Sequence, residues 1–342
     1  MNRGTGYLLA GGAAAVGALL LGLLFGAADI GLGSVAAILG RGMGLPVEPF
    51  WKPWQETVVL SVRLPRTLLA LAVGGGLAVA GAAMQGFFRN PLAEPGILGV
   101  SSGSALGGVV AIYSGLAAWS VWMLPFMSFV GGMGAIWTVY ALTARRGRVD
   151  TGILLLAGVA IGVICVAATS FIISVSLANW QVASQILSWT MGGLSGRNWD
   201  HLRMMLPPAL AGVAVILVFA RDLDALVLGE TQAWAVGVDV PRVRLYLIAA
   251  TAAVTGATVA VAGPIGFVGL VVPHMLRLSL GPAHRYLLPA AALWGGAFLA
   301  MADIGCRLVM PPEELQLGIL TAVIGGPVFI WLLIRKRRGL GI

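Results

Sequence analysis

From Leu8 to Ile334 the chain is a succession of apolar runs, each about as long as a bilayer is thick, separated by short polar breaks. A helix needs about 20 apolar residues to cross the hydrocarbon core. Runs of that kind lie near 8–28, 66–86, 96–115, 121–142, 151–175, 203–220, 243–262, 267–280, 286–304 and 317–334, ten in all. In lipid every backbone N–H and C=O must be paired within the protein, so such runs fold as helices. The expected fold is all-α, one polytopic membrane domain over residues 1–342. The eighth run is short and bounded by glycine and proline, and Gly103, Gly107, Gly108 and Pro125 allow the third and fourth to tilt or break. Only 10% of residues are charged and 59% are hydrophobic, too little charge to clothe a water-facing surface. The 49 glycines suit helices that approach closely in lipid. Residues 8–28 form too long a run, without a clean cleavage context, for a removable leader, and are expected to be the first span.

The net charge of +8 does not point to nucleic acid. There are two lysines, Lys52 and Lys336, and the arginines stand in short clusters between apolar runs. That is the pattern of positive-inside marking. The tail Arg335–Lys336–Arg337–Arg338 places the C-terminus in the cytoplasm, and ten spans bring the N-terminus to the same side. Arg145, Arg146, Arg148, Arg221, Arg242 and Arg244 then fall inside, whereas Arg63, Arg66 and Arg307 fall outside, against the bias. "LAVAGAAMQGF" at Leu77–Phe87 also echoes "VAVAGPIGFVG" at Val259–Gly269 in the opposite orientation, as an inverted repeat would.

Catalytic chemistry has little to work with. Neither lysine follows a glycine, so there is no G-x-x-x-x-G-K-[ST] phosphate loop. His201, His274 and His284 are too scattered for a metal motif, and no serine sits in a G-x-S-x-G elbow. No catalytic, cofactor-binding or metal-binding residue is expected, and the chain is not expected to be an enzyme. Asp303 and His274 are the candidate acid and base within spans, each open to a structural or a functional role. Cys165 and Cys306 read as buried small hydrophobes.

Two polar breaks stand out. "FFRNPLAEPGILGVSSGS", Phe87–Ser104, carries Asn90, Pro91, Glu94 and Pro95, expected to organise a turn at the inner surface. Pro273 and His274 are expected to do the same beside the eighth span. The inner segment 221–244 predicts two short helices, one ended by Gly229 and the other by Gly237. Leu226, Leu228 and Trp234 on them form a docking surface or an ordinary interfacial loop.

At this point the chain resembles a known family. "RLPRTLLA" at 63–70, "GAAMQGFFRNPLAEPGILGVSSG" at 81–103, "LLLAGVAIG" at 154–162, "WTMGGLSGRNW" at 189–199, "LGETQAWAVGV" at 228–238, "GPIGFVGLVVPHMLR" at 263–277 and "GILTAVIGGPVFIWLL" at 318–333 are similar to FecCD-type permeases. These are the membrane subunits of bacterial ABC importers for vitamin B12, haem and ferric siderophores, and several of the segments look most like the vitamin B12 branch. The resemblance implies a type II ABC importer fold in the bacterial inner membrane and a homodimer with the pathway between copies. Two cytoplasmic ATPase subunits would bind ATP and Mg, and a periplasmic binding protein would deliver a metal chelate. It implies that the cytoplasmic loop, residues 221–242, docks the ATPase through Leu226, Leu228, Gly229, Glu230 and Trp234. Arg63, Arg66 and Arg307 would hold acidic residues of the binding protein, which explains their position outside. Leu77, Ala80, Met84, Ile164, Ala168 and Ile172 are the expected pathway lining. One departure is Gln316 in "ELQ", where the family usually has proline. A secondary transporter is the rival class, and it would need an ion site at membrane depth, for which Asp303 is the candidate.

Overall fold

All ten runs fold as helix in the computed structural model, which describes residues 3–339 apart from 27, 146–147, 150 and 312. The helices are α1 (Arg3–Leu24), α2 (Leu32–Gly42), α3 (Pro53–Thr57), α4 (Leu64–Phe87), α5 (Val100–Tyr113), α6 (Met123–Thr143), α7 (Thr151–Ser176) and α8 (Trp180–Thr190). They continue with α9 (Trp199–Val218), α10 (Ala220–Leu228), α11 (Glu230–Ala235), α12 (Val240–Ala262), α13 (Val268–Leu280), α14 (His284–Val309) and α15 (Leu317–Gly339). A π-helical stretch, Val58–Arg63, joins α3 to α4 without a break, and a 3-10 turn, Pro95–Leu98, leads into α5. The only extended pairing among the described residues is a two-residue ladder, β1 (Ala144–Arg145) with β2 (Arg148–Val149). Arg146, and the side chains of Arg145, Arg148 and Arg335–Arg338 on which the orientation rests, lie outside the described residues.

Seven helical stretches are long and apolar enough to cross a membrane, whereas α5 and α13 have only 14 and 13 residues. Two helices go beyond the expected spans. α2 buries Val35 and Ile38 against Leu23, Ile30, Trp51 and Val59. α8 is opened by Asn179, whose side chain accepts from the Val182 N–H at 3.4 Å, and it buries Ala183, Ile186 and Trp189. Both are short and amphipathic, so a search for bilayer-length apolar runs passes over them.

α4 is the axis of the bundle. It is buried along nearly all its length and packs on α14, α13, α12 and α9. Small residues make the approach possible. A Cβ added at Gly81 would stand 1.7 Å from the Gly269 carbonyl oxygen, and one at Gly74 would stand 2.3 Å from that of Gly295.

The inverted echo survives at the level of elements but not of the aligned residues. Leu77–Phe87 lies wholly inside α4, whereas Val259–Gly269 crosses the break between α12 and α13. The matching order is instead a long buried helix, a short one, then two longer ones: α4–α7 and again α12–α15. α4 and α12 run antiparallel, Gly76 lying against Val254 and Thr258 while Arg244 sits over the Phe87 ring. In each half the short helix follows a residue in the left-handed region, Gly99 (φ 80) or Phe267 (φ 68).

Candidate docking and translocation site

The loop that joins α9 to α12 is a hook of two short helices. α10 and α11 meet at Gly229, whose φ of 132 and ψ of 157 belong to glycine alone, and a Cβ there would lie 2.1 Å from Gln232 Oε1. Asp224 does not cap α10. Its Oδ1 accepts from the His284 backbone N–H at 2.9 Å and meets His284 Nδ1 at 2.6 Å, fastening the loop to the start of α14. Glu230 pairs with Arg244 of α12. Leu223, Leu226 and Ala233 point into the bundle, which leaves Leu228, Trp234 and Val236 outward at 73%, 56% and 72% exposure. Leu226, expected among the docking residues, is 4% exposed and packs into the bundle, where it anchors the hook. The loop is also shorter than 221–242, because α12 has begun by Val240.

The three arginines expected to hold a binding protein have partners within the protomer. Arg63, Arg66 and Arg307 are all buried, and every one is engaged within the protomer. Arg63 donates to the carbonyls of Leu23 at 2.8 Å, Leu24 at 2.9 Å and Ala28. The first two are end-of-helix carbonyls of α1 that lack an intrahelical partner, so the guanidinium caps that terminus. Arg307 donates to Gly22 O at 3.2 Å and pairs with Asp303. Arg66 forks Asp303 at 2.8 Å and reaches Glu314 with its other arm, also at 2.8 Å. These cations stand together because α1 ends beside them and because Asp303 needs a countercharge. Asp303 is no ion-coupling site: its carboxylate is 1% exposed and held by two guanidinium groups.

The pathway candidates divide. Ala80 and Met84 are fully enclosed and Leu77 nearly so, because α4 is the central helix of the protomer. On α7, Ile164 is outward at 61% exposure, while Ala168 and Ile172 are half-buried. The face open to a second copy or to lipid is thus α7, not α4.

At the Phe87–Ser104 junction, Asn90 Oδ1 accepts from Leu92 N–H at 3.0 Å, closing a turn that begins with Arg89 at φ 50. Pro91 follows in the turn, and Pro95 opens the 3-10 turn and lies against Gly269. Glu94 lines a cavity of about 200 Å³ with Ser101, Ser102 and Thr255, and burial pushes its carboxyl above the usual range. Pro273 is buried inside α13 and His274 beside it is half-buried.

Sequence reasoning missed the His284–Asp224 and Arg244–Glu230 ties, since partners 60 and 14 residues apart leave no local pattern. It also missed Arg197, treated below.

A bundle in which α4–α7 and α12–α15 repeat one order of helix lengths, with α4 and α12 antiparallel, has the build of a membrane transporter subunit. The chain belongs to the FecCD transport family, whose model matches residues 14–335. It is 45% identical to the cobalamin import system permease protein of Halobacterium salinarum, over 81% of this chain and 73% of that one. Identity is 40% to the Fe(3+) dicitrate transport system permease protein of Escherichia coli, over 88% and 95% of the two chains. It is 41% to the hemin transport system permease protein of Yersinia pestis, over 85% of each. A solved metal-chelate type ABC transporter in an inward-facing conformation superposes with a TM-score of 0.84 at 31% identity, covering 96% of this chain and 98% of the other. The chain is a multi-pass membrane permease of an ABC transporter, and a permease subunit is not itself catalytic.

Proposed function

We propose that this chain carries a bulky metal chelate, preferably a corrinoid, from periplasm to cytoplasm across the bacterial inner membrane. It works as a homodimer, with two cytoplasmic ATPase subunits that bind ATP and Mg, and with a periplasmic binding protein. The observation that carries the reading is the hook: Leu228, Trp234 and Val236 project from a loop tied to α14 and α12. Exposed apolar side chains on a braced loop suit transmission of force from a soluble partner. Gly229 sets the angle between α10 and α11, and Glu230 holds α11 to Arg244.

A ferric citrate-like chelate or haem is the second reading, supported by relatives of 40% and 41% identity. Cobalamin, ferric dicitrate and hemin differ in size and metal, yet each carries an oxyanion, as a phosphate diester or as carboxylates. On the outer face, Arg66 is the arginine suited to binding-protein docking. Its partner Glu314 is 30% exposed, so an incoming carboxylate displaces Glu314 while Asp303 stays in place. Arg63 and Arg307 serve that contact as scaffold.

The test is uptake by the permease reconstituted with its ATPase and binding protein. Titrating the binding protein with cyanocobalamin, hemin and ferric dicitrate ranks the cargo, and cobalamin is expected to bind most tightly. Uptake by the lone permease on an ion gradient, without ATP, overturns the reading.

A further inference from the structure

The loop Met191–Asn198 between α8 and α9 holds an arginine that no carboxylate pairs with among the described residues. Arg197 is half-buried, its guanidinium 5.8 Å from the centre of the Trp189 ring. Its Nη1 lies 3.2 Å from His201 Nε2, and its buried Nε has no hydrogen-bond partner. A guanidinium only donates, so Nε2 accepts; the ring proton then sits on Nδ1, 2.8 Å from Asn198 Oδ1. A neutral imidazole offers Arg197 no opposite charge. Asp200, three residues on, pairs with Arg203 at 3.5 Å instead. Burial therefore works against the charge of Arg197 with nothing to offset it.

That guanidinium lines a cavity of about 220 Å³ together with Gln185, Ser188, Ser195 and Gln316. No carboxylate is among its lining residues, and the amide and hydroxyl side chains there all have donors to offer. Gln316 is the residue at which this chain departs from the usual family proline. Its amide donates to Ser188 Oγ at 3.3 Å. The adjoining cavity, of about 360 Å³, does contain acids: Asp303 and Glu314 are engaged there by Arg66, and Glu313 lines it as well.

We propose that Arg197, with Gln185, Ser188, Ser195 and Gln316, forms an oxyanion-binding stop at the outer mouth of the transport path, taking a carboxylate or phosphate-diester group of the cargo. It rests on the importer reading above and adds what the entrance recognises. Arginine suits the task because its fork pairs with two oxygens of such a group. The donors around it close the remaining lone pairs, and the indole face covers the guanidinium.

The experiment needs neither ATPase nor binding protein, so it fails or succeeds separately from the uptake test. Purified permease in lipid nanodiscs is titrated calorimetrically with citrate, with dimethyl phosphate and with a neutral ferric trihydroxamate. Saturable binding of citrate, of dimethyl phosphate or of both is expected, and which of them binds identifies the oxyanion. Arg197→Gln is expected to weaken it by about tenfold or more, Arg197→Lys, which keeps the charge but loses the fork, to weaken it less, and Gln316→Pro also to weaken it less than Arg197→Gln. Thermal unfolding of each variant shows that the fold is kept. If Arg197→Gln does not fold, the Arg197→Lys and Gln316→Pro comparison decides. Neither anion binding, Arg197→Gln and Gln316→Pro both binding like the parent, or the neutral chelate binding as tightly as the anions each overturns the proposal.

Discussion

The two ends of the bundle invert the usual arrangement of a protein. The outer end buries charge: Arg63, Arg66, Asp303 and Arg307 lie between 1% and 6% exposed. The inner end exposes apolar surface: Leu228, Trp234 and Val236 all exceed half exposure. Each oddity has its own cause. Buried guanidinium groups are tolerable when every arm meets a carbonyl or a carboxylate, and the outer cluster meets that condition by capping α1 and enclosing Asp303. Exposed leucine and tryptophan grouped on one braced loop suit the interaction surface proposed above. Charge at the outer end serves the frame.

That contrast is broken most directly at Asp303. Asp303→Asn leaves Arg66 and Arg307 buried without their shared carboxylate, and is expected to cost about 3–5 kcal/mol of stability. Thermal unfolding in detergent measures it, and an unchanged transition means that the cluster is not structural. At the other end, Leu228→Asp combined with Trp234→Ala is expected to leave unfolding unchanged. ATP-driven uptake should fall by roughly 30-fold, the loss of a contact worth about 2 kcal/mol. A stability loss in that variant instead makes the hook part of the core. Glu230→Gln removes one partner of a pair whose carboxylate is 43% exposed, and is expected to change stability by less than about 1 kcal/mol.

Glu94 sharpens the comparison from the middle of the molecule, a buried acid with no cation beside it. Its pKa is raised in the fold, so the stability it contributes is complete below the ordinary value of 4.5 and is lost as pH rises through the folded value. Glu94→Gln is therefore expected to unfold at a higher temperature than the parent near pH 7.5, with the gap closing as the pH is lowered toward 4.5. A gap that is constant with pH means that Glu94 is not the titrating group.

Much of the frame was legible from residues alone. Bilayer-length apolar runs located all ten spans to within a few residues at most of their ends, because lipid permits few alternatives to helix. Gly229 and Gly237 marked the ends of the two hook helices, since both adopt positive φ. What failed to appear was whatever depends on which side of a helix faces a neighbour. Leu226 and Leu228 are two residues apart in one apolar stretch, yet one is anchor and the other is surface. Met84 and Ile164 both read as plausible lining, and only the central place of α4 separates them.

The sequence by itself determined the class of fold, the places of its apolar helices and the family, because hydrophobic length and small-residue motifs are local and do not depend on partners. Tertiary structure decided what the polar residues are for. It turned the outer arginines from free forks into caps and clamps and tied the hook to α14 through His284. It also left Arg197 facing a cavity with no acid in it. The reason is that a charge in a low-dielectric bundle is defined by what closes around it. Its partners come from segments far apart in the chain, as Arg66 and Asp303 do across 237 residues.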